Sequence, residues 1–165
     1  MVLSVPELVA CLGSEYSFAN SKEADRIVRS RPPKPLSSSR FINFFRAGYT
    51  HHELDFDNPS KFRVGFSRLP TNEVRSLYAF MPVSKLPETM NYSDYRGIGF
   101  QIANERDIAF DNFGLAEEEE AFYGFLKEYP NSFNEVKDLI SRVCMSADEM
   151  NKQLVEFLNQ RLAIS

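Results

Sequence analysis

The stretch from Thr50 to Arg68, THHELDFDNPSKFRVGFSR, decides the fold that this sequence predicts. On both sides of a polar centre, apolar residues or histidine alternate with polar ones. The alternating positions are His52, Leu54, Phe56, Phe62, Val64 and Phe66. Because successive side chains on a strand point to opposite faces, this period of two indicates two half-buried strands. Asp57-Asn58-Pro59-Ser60 between them is typical of a turn, so we expect an antiparallel hairpin.

Further strands are expected C-terminal to this hairpin. Pro70-Thr71-Asn72 predicts a turn, and three apolar segments follow it. The predicted strands are Arg75 to Met81, Tyr95 to Ala103 and Ile108 to Phe113. Since consecutive strands with short connections usually pair, the middle of the chain is predicted to be an antiparallel β-meander of about five strands.

Short helices are expected before the sheet. Ser4 and Glu7 have the spacing of a capping box, which predicts a helix start, and Gly13 is expected to end that helix. Asn20 and Glu23 predict a second helix in the same way. Arg31 to Ser39, RPPKPLSSS, is expected to be an extended connector because proline and serine dominate it.

Three helices are expected after the sheet. The first is predicted from Leu115 to Tyr129, and Pro130 would end it. Capping boxes at Ser132/Glu135 and at Ser146/Glu149 predict the starts of the other two. Helices at both ends of an antiparallel sheet define an α+β fold, with the C-terminal three-helix segment packed on the sheet. At 165 residues, a single domain over residues 1–165 is expected.

Composition excludes several classes of protein. The 43% of hydrophobic residues is too high for a disordered chain. The longest uncharged apolar stretches fall short of the ~18 residues of a membrane-spanning helix, so we expect no membrane association. Residues 1–12 contain Glu7 and no basic residue, unlike a secretory signal. Cys11 and Cys144 are expected to be reduced thiols, and the protein is expected to be cytoplasmic.

The strand from Thr50 to Asp57 is the best candidate for chemistry. Its period of two places His51, Glu53, Asp55 and Asp57 on one face. An imidazole and carboxylates about 7 Å apart could bind a divalent metal or share acid–base work, which would make the protein a small hydrolase or metal-dependent enzyme. A solvated strand face is the simpler interpretation, since one strand cannot surround a metal and the only other histidine is His52.

Motifs for other chemistry are missing from the sequence. It contains no nucleophile elbow and no P-loop. Gly97-Ile98-Gly99 lacks the third glycine of a dinucleotide-binding fingerprint. We therefore predict no catalytic residue, no metal ligand and no cofactor, and expect that the protein is not an enzyme.

The distribution of charge favours a different function. The net charge of −4 comes from the end of the chain, because residues 114–165 hold 10 acidic and 5 basic residues. We therefore predict an acidic face that binds a basic protein. An immunity-type protein that neutralises a basic toxin, for example a nuclease, has this design. The predicted partner-binding residues are Glu117, Glu118, Glu119, Glu120, Asp55, Asp57 and Tyr123.

A basic stretch leaves one further alternative open. Between Arg26 and Arg46 there are six basic residues and no acidic one. This segment could bind a nucleic acid or another anion. Nucleic-acid binding is the weaker interpretation, because the whole chain is acidic and contains no recognised nucleic-acid-binding motif.

Overall fold

A computed structural model describes residues 2–34, 49–57, 62–85, 92–116 and 121–164. In these ranges the chain forms four α-helices and five β-strands. They are α1 (Val5–Glu15), α2 (Ser21–Arg29), β1 (Thr50–Asp55), β2 (Arg63–Arg68), β3 (Val74–Lys85), α3 (Tyr92–Glu105), β4 (Asn112–Ala116), β5 (Ala121–Glu128) and α4 (Phe133–Ile164). The end of the predicted connector, from residue 35 to Ser39, lies outside the described residues.

The five strands form one antiparallel sheet in the order β1-β2-β3-β5-β4. The predicted hairpin is confirmed, because β1 pairs with β2 in a register that sets His52 opposite Phe66 and Leu54 opposite Val64. The α+β class and the number of strands are therefore confirmed. The order differs from a simple meander at its end, where β5 and not β4 lies next to β3.

The chain divides into two compact units. The first comprises residues 1–78 and 127–139, and the second comprises residues 79–126 and 140–165. Strands β3 and β5 and helix α4 contribute residues to both units. That the chain behaves as one domain stays a prediction.

Side-chain caps fix where α1 and α2 begin in the first unit. The Ser4 hydroxyl accepts a hydrogen bond from the Glu7 N–H (3.3 Å), and the Asn20 side chain accepts from the N–H groups of Lys22 and Glu23. Both predicted helix starts are thus confirmed. The prediction that Gly13 ends α1 is wrong. Helix α1 continues to Glu15.

Gly13 serves close packing instead. The ring of Phe18 occupies the space beside its Cα, and a Cβ atom there would lie 2.9 Å from the ring. A side chain at this position would therefore displace Phe18 from the connection between α1 and α2. This contact, rather than a helix end, accounts for the glycine.

Arg68 holds α2 to the hairpin in this unit. It is 1% exposed, and its guanidinium donates hydrogen bonds to the carbonyl oxygens of Ile27 and Ser30, to the Ser30 hydroxyl and to the Asn72 side chain, at 2.6–3.0 Å. Two of the acceptors are carbonyls at the end of α2, where the helix dipole favours a cation. Burial lowers the pKa of Arg68. Asn72, at φ 68°, lies in the turn that the sequence predicts.

The second unit contains an element that the sequence misassigns. The strand predicted from Tyr95 to Ala103 is wrong, because Tyr92–Glu105 is helix α3. Ile102 and Ala103 pack in a buried cluster with Phe113 of β4 and with Met150 and Leu154 of α4. Packing against α4 therefore favours a helix over a strand for Tyr92–Glu105. Of the strand predicted from Ile108 to Phe113, only Asn112 and Phe113 are in a strand, where they begin β4.

The described residues of the C-terminal third contain one helix where three are predicted. The helix predicted from Leu115 to Tyr129 is wrong, since Ala121–Glu128 is strand β5. The capping box at Ser132 and Glu135 is confirmed, because the Ser132 hydroxyl accepts from the Glu135 N–H at 3.4 Å. Helix α4 then runs for 32 residues, so the predicted start at Ser146 lies inside it.

Candidate functional site

One face of the first unit carries the polar residues of β1. His51, Glu53 and Asp55 alternate with the residues that pack beneath the sheet, as the sequence predicts. All three are exposed, and Asp57 just beyond the strand is exposed as well. The alternation therefore brings together the imidazole and the three carboxylates that made this strand the best candidate.

Tyr78 of β3 reaches across β2 to this group. Its hydroxyl lies 2.5 Å from Nε2 of His51, and the two rings stack with their centroids 5.2 Å apart. Gly65 of β2 permits the crossing, because a Cβ atom on it would lie 2.5 Å from the Tyr78 ring. Burial, together with the charge of Glu53, raises the pKa of Tyr78.

The carboxylates differ in their surroundings. Asp55 forms an ion pair with Arg63 of β2, with 3.1 Å between Oδ1 and Nε. Glu53 lies 3.8 Å from the His51 ring, and its side chain is 53% exposed. The side chain of Asp55 is 56% exposed despite its partner. These groups are therefore presented to solvent, whereas acid–base chemistry usually relies on groups held in a site that excludes water.

Among the described strands, β1 lies at an edge of the sheet. Its C-terminal end is covered by the connection between α1 and α2, where Phe18 and Phe56 form a short antiparallel bridge. The Ala19 N–H donates to the Asp55 carbonyl at 2.9 Å, and the Asp57 N–H donates to the Ser17 carbonyl at 2.8 Å. The outer side of β1 can therefore accept a paired strand.

The other predicted partner-binding residues are placed differently. Glu117, Glu118, Glu119 and Glu120 lie outside the described residues. The strands on either side of them pair, with Ala116 opposite Ala121. Tyr123 lies in β5, where it is 5% exposed and packs edge to face against Phe80. Its side chain offers no surface to a partner.

The predicted basic stretch is described only at its beginning. Arg26 forms an ion pair with Glu23, and this pair raises the pKa of Arg26. Arg29 and Lys22 line an open depression that Asp25 also lines. An acidic side chain therefore lies among these cations, and residues 35–46 are outside the described part of the chain.

The described residues contain neither a cluster suited to a metal ion nor a membrane-spanning helix. Among them, no group of three or more His, Cys, Asp or Glu side chains is arranged to hold a metal ion. In the same part of the chain, none of the helices combines the length and the apolar character needed to cross a bilayer.

Sequence reasoning missed Tyr78, Gly65 and Arg63 as parts of this surface. Tyr78 is partly exposed and alternates with the buried Leu77 and Ala79, so the period of two in β3 could have placed it on the opposite face of the sheet. Nothing local predicts that Gly65 lies beneath its ring. No protein-family model matches this chain, and no curated protein matches its sequence.

Proposed function

We propose that this is a non-enzymatic binding protein that presents an acidic face to a basic protein partner. An immunity-type protein that neutralises a cationic toxin, such as a nuclease, is the biological role that fits this chemistry. A cytoplasmic location belongs to the same proposal. No cofactor takes part in it.

The observation that carries the proposal is the exposure of carboxylates along the edge strand. Glu53 and Asp55 are each more than half exposed on one face of β1, and Asp57 follows them. Carboxylates two residues apart on a strand lie about 7 Å apart, which lets one basic surface meet several of them. Such charge complementarity speeds encounter and disfavours wrong partners.

The sequence adds four carboxylates to this proposal. Glu117 to Glu120 join β4 to β5 in the chain, and residues 114–165 carry a net charge of −5. We include them as a second acidic segment on the basis of sequence alone. Tyr123 is left out because it is buried.

The test begins with affinity capture from the native host, followed by identification and purification of each retained protein. Capture alone does not support the proposal. The purified candidate must be basic, and it must bind with an affinity that falls as salt is raised. Where the candidate is a nuclease, addition of this protein should suppress its cleavage of nucleic acid.

Substitutions then test which carboxylates form the surface that binds the partner. Glu53→Gln with Asp57→Asn, and separately the fourfold change of Glu117–Glu120 to Gln, should each weaken binding by about tenfold or more, since close charge pairs couple by about 1.5 kcal/mol or more. Glu149→Gln with Glu156→Gln, on exposed positions of α4, is the matched control and should change little. Unchanged affinity in both acidic variants would overturn the proposal, as would salt-dependent binding of DNA or RNA in place of a protein.

A further inference from the structure

We propose that the outer edge of β1 at His51 and Glu53 binds an extended basic segment of the partner as an added β-strand. The choice of a basic partner rests on the proposed function. The mode of binding rests on the backbone of β1, and it can be tested separately.

The structure already contains a short version of this pairing. Residues Ser17 to Ala19 lie beside the end of β1 and form two backbone hydrogen bonds with it, through the Asp55 carbonyl and the Asp57 N–H. The bridge at Phe18 and Phe56 is antiparallel, and the rings of the two residues are 5.3 Å apart. This edge is therefore geometrically competent to pair with an extended chain.

This pairing extends no further toward the start of β1 than Asp55, although the strand itself begins at Thr50. Backbone groups of alternate residues in a strand point to the same side. Because Asp55 and Asp57 direct theirs away from β2, those of His51 and Glu53 point outward too. Among the described residues, no backbone hydrogen bond joins the outward groups of His51 and Glu53 to another segment. An incoming strand would find two donors and two acceptors there.

The charges beside this edge determine which kind of segment binds there. Glu53 and Asp55 lie on one face of this edge, where the side chains of an added strand would approach to about 5 Å. A basic segment gains from these contacts. A second copy of β1 carries the same carboxylates and brings no Lys or Arg to this face, so it gains less than a basic segment does. We therefore assign the edge to a partner segment with Lys or Arg at alternate positions.

The experiment uses the full chain and synthetic peptides. The probe is a capped seven-residue peptide of alternating Lys and Val. One control peptide has Glu in place of Lys, and two others carry N-methyl groups on alternate amides. N-methylation removes backbone donors and keeps the charge, so blocking one set of amides should abolish binding whereas blocking the other set should not.

Amide hydrogen exchange locates the peptide. In the free protein the amides of His51 and Glu53 should exchange fast, while those of His52 and Leu54, which point toward β2, should exchange slowly. Saturating Lys–Val peptide should slow exchange at His51 and Glu53 by tenfold or more and leave the other two unchanged. Slow exchange at His51 and Glu53 in the free monomer would show an edge that is already covered, and would overturn the inference.

A proline variant separates the backbone from the charge. Glu53→Pro removes the outward N–H and is tolerated where that N–H faces solvent, whereas Glu53→Gln removes only the charge. We expect Glu53→Pro to fold, as judged by circular dichroism, and to bind the Lys–Val peptide at least fivefold more weakly than Glu53→Gln. Equal binding by the two variants would overturn strand addition.

The outcomes distinguish the two proposals. If both N-methylated peptides bind as well as the parent, strand addition is wrong while an acidic binding face is retained. If the Glu–Val peptide binds as tightly as the Lys–Val peptide and slows the same amides, the edge pairs without regard to charge and the basic-partner proposal fails. A concentration-dependent dimer that protects these amides would assign the edge to a second copy and overturn the inference.

Discussion

The hydroxyl of Tyr78 lies 2.5 Å from Nε2 of His51, and the two rings stack with their centroids 5.2 Å apart. The hydroxyl and the imidazole share this hydrogen bond, and the tautomer of His51 decides which of them donates. The contact joins β3 to the edge strand β1 over the intervening Gly65. His51 is thereby held in position beside Glu53 on the face that we propose to bind a partner.

Removing this hydroxyl should destabilise the protein slightly. We expect Tyr78→Phe to lower the free energy of unfolding by about 0.5–1.5 kcal/mol, the net worth of one hydrogen bond. Tyr49→Phe is the control, since Tyr49 is exposed and its hydroxyl has no hydrogen bond among the described residues. Urea denaturation of both variants checks the prediction. Equal stabilities would show that the Tyr78 hydroxyl contributes nothing to the fold.

Two glycine-to-alanine changes should have opposite effects. At Gly65 an added methyl would lie 2.5 Å from the Tyr78 ring, and we expect a loss of about 1–3 kcal/mol from the forced shift. At Gly97, on an exposed turn of α3, no atom other than the adjoining helix backbone and chain neighbours lies within 4 Å of the new methyl. Alanine should stabilise that helix by about 0.5–1 kcal/mol. Thermal unfolding of the two variants measures both signs, and a loss at Gly97 would contradict the helical assignment of α3.

Substitutions at Ile102 and Phe100 test the same helix from its buried side. A strand would place the two residues on one face, whereas the helix buries Ile102 and leaves Phe100 38% exposed. We expect Ile102→Ala to cost about 2–4 kcal/mol of unfolding free energy, because it opens a cavity beside Met150 and Leu154. Phe100→Ala should lower the free energy of unfolding by about 1 kcal/mol, because its main effect is to remove the edge-to-face contact with Phe113. Equal costs in chemical denaturation would argue for the strand.

Features that depend on near neighbours in the chain could be predicted. The capping residues Ser4, Asn20 and Ser132 act within four residues of themselves, and all three cap as expected. The β1–β2 hairpin followed from its period of two, and the exposure of Asp55 and Asp57 followed from the same period. Local hydrogen bonding and the alternation of side chains depend only on residues within such a segment, so the sequence of the segment is enough to predict them.

Features that depend on distant partners could not be predicted. In α3, Ile98 and Ile102 satisfy a period of two and also the helical spacing of four, and the distant Met150 and Leu154 decide between them. The four glutamates before β5 favour a helix by propensity, but Phe125 stacks on Phe80 of β3 at 5.0 Å in the sheet. The role of Tyr78 was missed for the same reason, since it needs Gly65 on another strand.

Stability should also depend on the protonation of His52. Burial lowers the pKa of His52 most, and the charges of Arg68, His51 and Arg26 lower it further, while Glu23 opposes them. The folded state therefore resists protonation at a pH where the unfolded chain, with an ordinary histidine pKa of about 6.5, takes up a proton. Stability is thus full above that value and falls as the pH drops below it, until the lowered pKa of the folded state is passed.

The variant His52→Gln isolates this dependence. It removes the titration and keeps a polar side chain beside the Thr50 hydroxyl, which lies 3.3 Å from Nε2 of His52. Between pH 7.5 and 5.5, above the range where most carboxylates titrate, the wild-type free energy of unfolding should fall more steeply than that of the variant. Urea denaturation at each pH measures the difference. Parallel curves would mean that His52 takes up its proton equally in the two states, and a steeper fall in the variant would reverse the sign of the predicted shift.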